Sequence, residues 1–89
     1  MRNGLRHNLD FKRLTRGCCL GLLSYLSTVS DARQRELEEA TGAEDSDVYH
    51  ALKFLKKEQL VDQYGNTNRI TDKGRDAIPL IKERLIYSL

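Results

Sequence analysis

Two adjacent thiols, Cys18 and Cys19, two imidazoles, His7 and His50, and a run of hydroxyl, amide and cationic side chains between Ser46 and Arg69 are the groups of this 89-residue chain whose types suit chemistry. Nucleophilic catalysis needs a nucleophile beside a base, and no spacing gives His50 such a partner. Structural zinc sits on Cys-x2-4-Cys or His-x3-5-His pairs, and neither occurs. There is no Gly-rich phosphate loop and no paired-carboxylate site. The expectation is a protein that is no enzyme and takes no metal or cofactor. Adjacent cysteines bridge poorly, so both thiols are expected to be reduced, as small core residues. What remains is the chemistry of charge and hydrogen bonding toward a polyanion.

Charge is distributed unevenly. The net value is +2, yet residues 1 to 17 carry +4, residues 31 to 47 carry −5, and Val48 onward carries +3. One face can therefore meet a polyanion while another avoids it. A 10.2 kDa chain has room for one core. Its 39% hydrophobic and 31% charged residues are a globular balance rather than a disordered one. Apolar runs of two or three, such as Leu22-Leu23, fall far short of the roughly 20 that span a bilayer. Arg2 and Arg6 are followed by no apolar stretch with a small-residue cleavage site, which does not read as a secretory signal. Cytoplasmic residence with no membrane association is expected.

The elements that must position these groups follow from periodicity. Phe11, Leu14, Cys18, Leu22, Tyr25 and Val29 recur every three or four residues, predicting a first helix over about residues 10 to 28. Gly17 and Gly21 read as places where another helix comes close. Asp31 with Gln34 suggests a loose capping box for a short second helix on Leu37, Ala40 and Thr41, and Gly42 is its expected left-handed cap. Asp45-Ser46 can cap a third helix. There Val48, Leu52 and Leu55 form the buried stripe, and Ser46, His50, Lys53 and Lys57 fall within about 40° of the opposite direction, with Tyr49 on the flank. Beyond Leu60 the period becomes two. Val61 to Tyr64, a Gly65-Asn66-Thr67-Asn68 turn and Arg69 to Thr71 predict a hairpin. Thr71 can cap a last helix, in which Pro79 predicts a kink or restart.

The order of elements is that of a winged helix-turn-helix. The residues carry the likeness further. Glu36-Leu37-Glu38-Glu39-Ala40-Thr41-Gly42, Ser46-Asp47-Val48, Leu52-Lys53-Phe54-Leu55 and Gln59-Leu60-Val61 resemble the helix-turn-helix of the multiple-antibiotic-resistance, arsenic-resistance and phenolic-acid-decarboxylase regulator families. Ile70-Thr71-Asp72-Lys73-Gly74-Arg75 resembles the stretch that leaves the wing there. The likeness covers about residues 18 to 78 and is specific for the fold rather than for one family. It implies a mainly α fold with a small β-hairpin, and a C-terminal dimerisation helix. It also implies a dimeric transcriptional regulator, prokaryotic or archaeal in type, that binds double-stranded DNA sequence-specifically with the third helix in the major groove and the hairpin on minor groove or backbone. On that resemblance Ser46, Tyr49, His50 and Lys53 would read or buttress bases, Lys57 would meet phosphate, and Asn66, Thr67, Asn68 and Arg69 would form the wing tip. Arg2 and Arg6 would enter a minor groove from a mobile arm.

The sequence departs from those families in three places. Glu44, Asp45 and Asp47 surround the leading end of the third helix, where acids complement the helix dipole; base contact from Asp47 to cytosine N4 is the lesser alternative. The wing is short, with Arg69 as its one certain cation. Gln59 stands where those families commonly have glycine. The alternative to DNA binding is a winged-helix interaction module within a larger protein complex. The expected layout is a basic arm over 1–9, a winged domain over 10–71 and a dimerisation helix over 72–89. Ile81, Leu85, Ile86 and Leu89 would be covered by a second copy, together with the first helix.

Overall fold

The computed structural model describes residues 9–87; Arg2 and Arg6 of the expected arm, and Leu89, lie outside them. Among the described residues, five helices and one antiparallel hairpin follow in the order α1 (Phe11–Leu14), α2 (Cys19–Leu26), α3 (Gln34–Thr41), α4 (Asp45–Lys57), β1 (Val61–Tyr64), β2 (Thr67–Ile70) and α5 (Asp72–Tyr87). The mainly helical expectation with a small hairpin is what the chain adopts.

The single helix expected over residues 10 to 28 is instead two. Asp10 caps α1 by accepting the Arg13 backbone N–H at 3.2 Å. The Thr15 hydroxyl then donates to the Phe11 carbonyl at 2.7 Å, and Gly17 takes a φ of 59°, a left-handed conformation that breaks the ladder. Among the described residues no atom approaches within 4 Å of where a Gly17 Cβ would sit, so this glycine serves the turn rather than a contact with one of the described helices. Gly21 does meet a neighbour, the Thr41 Cγ2 of α3, at 3.4 Å.

α2 is the central element, touching α1, α3, α4, α5 and β2. Leu22, Leu23 and Leu26 are wholly buried there beside Leu14, Leu37, Val48, Leu55, Leu60, Val61 and Ile81. Leu9, the last residue of the expected arm, belongs to this core. The capping of α3 falls two residues later than the Asp31 expectation: Glu36 accepts the Arg33 backbone N–H at 3.2 Å. Gly42, at φ 72°, ends that helix as expected. Gln34 donates to both Glu38 and the Asp45 carbonyl, at 3.1 and 3.2 Å, tying α3 to the start of α4. Glu44 rather than Asp45-Ser46 occupies the capping position of α4.

β1 and β2 pair Val61 with Ile70, Asp62 with Arg69, Gln63 with Asn68 and Tyr64 with Thr67. The loop is therefore only Gly65-Asn66, with glycine at the first central position as a II′ turn requires. Ala32, in the segment between α2 and α3, makes an isolated antiparallel bridge to Asn68 through both backbone bonds, at 3.0 and 2.8 Å. Sequence periodicity holds no sign of this third extended segment.

The Thr71 hydroxyl accepts the Gly74 N–H at 2.9 Å and donates to the Gln59 carbonyl at 2.7 Å, capping α5 as expected. α5 runs unbroken through Pro79, so no restart occurs there. Ile81 is fully buried, and Leu85 packs partly against the same core. The expectation that both need a second copy is corrected, because α2 and α1 of the same chain cover this side of α5. Ile86 and Tyr87 stay 66% and 80% exposed. Among the described residues no helix is long and apolar enough to cross a membrane.

Candidate nucleic-acid interface

Thirteen residues of α4 divide cleanly into two faces. Val48, Ala51, Leu52, Phe54 and Leu55 turn inward. Ser46, Asp47, Tyr49, His50, Lys53 and Lys57 are exposed. Tyr49 and His50 meet edge to face, with ring centroids 5.3 Å apart and planes at 73°. Among the described residues Lys53 and Lys57 hold no hydrogen bond or ion pair, so their charge is available to an outside anion. Asp45 and Asp47 occupy the first turn and Lys56 and Lys57 the last, which complements the helix dipole at both ends.

The far end of α4 is set by an unusual residue. The Gln59 N–H bonds the Lys56 carbonyl at 3.0 Å and the Leu60 N–H bonds the Leu55 carbonyl at 2.9 Å, which together form a Schellman closure. Its left-handed position belongs to Gln59, at φ 63°, where glycine would fit without strain. Gly74 meets this closure: a Cβ there would lie 2.2 Å from the Leu60 carbonyl oxygen.

Two grooves flank the outer face of α4. One, of about 490 Å³, opens toward the hairpin between Tyr49, Lys53, Lys56, Gln63 and Asn66. The other, of about 570 Å³, opens toward α1 between Arg13, His50, Lys53, Phe54 and Lys57. Strand parity sorts the expected wing residues. Gln63 and Asn68 share one face of the hairpin, and Lys56 donates to the Gln63 amide oxygen on that side. Thr67 and Arg69 point to the other face, where Arg69 stacks 4.5 Å from the Tyr64 ring centroid, opposite Asp62.

Asn68 is thus corrected as a wing-tip contact. It is 4% exposed, and its side-chain N–H donates to the Ala32 carbonyl at 3.1 Å, while its Oδ1 has no partner among the described residues. Asn66 is the exposed turn residue, and Arg69, though exposed, does not share a face with the α4 lysines. Residues missed by sequence reasoning are Lys56 and Arg13. Lys56 follows from the Lys53 spacing of three, but Arg13 carries no local signal, since α1 reaches α4 only through the tertiary fold.

Burial pushes the Cys19 thiol up to about 11, with the adjoining Cys18 adding to it and Arg13 opposing. Cys18 is also raised, chiefly by burial, and its thiol faces the Asp47 carbonyl at 3.8 Å. Neither is poised as a nucleophile. Comparison with protein-family models, with curated proteins and with solved structures finds no match to this chain.

Proposed function

We propose that the chain is a non-enzymatic transcriptional regulator of winged helix-turn-helix type that binds double-stranded DNA, with α4 in the major groove and the β1–β2 hairpin on the adjoining backbone or minor groove. One observation carries the reading: Ser46, Tyr49, His50, Lys53 and Lys57 form an exposed face of one helix, and among the described residues Lys53 and Lys57 have no ion-pair or hydrogen-bond partner. A helix fits the roughly 12 Å width of the major groove. Lysines not already paired can replace the counterions of a phosphate backbone. The order α3, tight turn, α4, hairpin supports the type, as does the Ala32 bridge, which gives the hairpin a third strand position. Such a regulator works in the cytoplasm.

The test is affinity for duplex DNA as salt is raised. Log affinity should fall linearly with log salt, by about 0.9 for each phosphate neutralised. Binding that ignores salt, or no binding at low salt, removes the proposal. Selection from a random duplex pool then reports specificity. A second reading, an interaction module in a larger complex, is favoured by the acids Glu44, Asp45 and Asp47, all exposed at the leading end of α4. Reversing charge at Lys53, Lys57 and Arg69 separates the two: DNA retention is abolished under the first, and partner binding persists under the second.

A dimer would form through the end of α5. Exposed Ile86 and Tyr87 are the apolar surface that a second copy would cover, and twofold symmetry would set two α4 helices about 34 Å apart on a palindromic site.

A further inference from the structure

We infer that Arg13, with Lys57, grips a sugar-phosphate strand on the flank of α4 away from the hairpin, so that α1 is a second backbone clamp opposite the wing. The inference rests on the DNA reading above. The walls of the major groove are its two backbones, so a helix lying in it has phosphates on both sides. Both flanks of α4 therefore need donors. On the hairpin side Lys56, Gln63, Asn66 and Gln34 line the groove. On the other side α1 comes against the last turns of α4, and the groove there is lined by Arg13, His50, Lys53 and Lys57.

The Arg13 guanidinium is held ready. Its carbon lies 4.3 Å from the centroid of the Phe54 ring, and Phe54 is itself buried among the core side chains of α4. A guanidinium stacked by one face keeps its N–H edge free, and that edge is the bidentate donor that matches a phosphate. Little ordering entropy remains to be lost when the anion arrives. Two acids share the groove. Asp10 uses Oδ1 to accept the Arg13 backbone N–H, whereas Glu58 receives the Lys73 ammonium on its backbone carbonyl at 3.1 Å, which leaves its carboxylate as a charge that Arg13, Lys53 and Lys57 outnumber along the groove. Arg16, exposed in the turn that follows α1, extends the strip along a neighbouring recess that Arg13 also lines.

The experiment compares the full chain with Arg13→Gln, Arg13→Lys and, as a control at an exposed position of α3, Arg35→Gln. The probes are a fluorescent duplex enriched from a random pool and an unrelated duplex of equal length. Arg13→Gln should shrink the salt slope by about 0.9, so that the loss of affinity from about 50 to 200 mM salt becomes roughly 3.5-fold smaller. It should weaken both duplexes by the same factor, since a phosphate carries no sequence. Arg13→Lys should restore the slope, and Arg35→Gln should match the parent chain. Phosphate ethylation, read on parent and variant, should show one strand position that hinders the parent and not Arg13→Gln. If Arg13→Gln fails to fold in a thermal melt, Arg13→Lys and the parent's ethylation pattern decide, with no hindering phosphate on the α1 flank overturning the inference. An unchanged slope in Arg13→Gln overturns it while DNA binding stands; a parent chain with no salt-dependent binding removes both.

Discussion

Gln59 holds a backbone conformation that costs a side-chain-bearing residue roughly 1–2 kcal/mol, and the Schellman bonds of α4 keep it there. Gln59→Gly should release that strain, offset by the extra chain entropy of glycine at about 0.5–1 kcal/mol. A net gain of about 0.5–1 kcal/mol and a melting temperature higher by a few degrees are expected from thermal denaturation. The reverse applies at Gly74, pressed against the Leu60 carbonyl. Gly74→Ala must move backbone, and urea unfolding should show a loss of about 3 kcal/mol. The Cys19 thiol sets a pH dependence. Because its folded value is raised, from 9.0 to about 11, its contribution to stability is fully present below pH 9 and is lost as pH rises through 11. Stability of Cys19→Ala, itself lowered by the lost packing, should therefore fall less steeply than that of the parent chain between those two values.

At the level of elements, apolar periodicity made the two faces of α4 legible, because side chains three and four apart share a face whatever the rest of the fold does. The same periodicity hid the break between α1 and α2. Apolar side chains keep their phase across the turn, and what ends the ladder is the backbone of Gly17, which an apolar pattern does not register. Asn68 was misplaced for a related reason: its polarity suggests a tip, whereas strand parity puts it on the inward side with Ile70. The Ala32 bridge spans 36 positions and so left no local trace. Asn68→Ala removes the side-chain bond to Ala32 and should cost about 1–2 kcal/mol in urea unfolding, with the slope unchanged. A cost near zero would mean that the side-chain amide adds nothing to the backbone pair.

For the molecule as a whole, the candidate interface depends on contacts that join distant parts of the sequence. Expected residues Ser46, Tyr49, His50, Lys53 and Lys57 came together because one helix carries them all; Arg13 joins only through the packing of α1 on the core. Dimerisation through the end of α5 should appear in sedimentation equilibrium as concentration-dependent association, and Ile86→Lys with Tyr87→Lys should leave a folded monomer. A parent chain that stays monomeric at high concentration would remove the dimer. The Ala32–Asn68 bridge has one more consequence. Both main-chain groups of Ala32 are consumed by the hairpin, although the residue sits in an irregular stretch between helices. Its amide should therefore exchange with deuterium as slowly as the centre of α2, and a small-amplitude opening of the wing should be read out at residue 32 before it reaches any other loop.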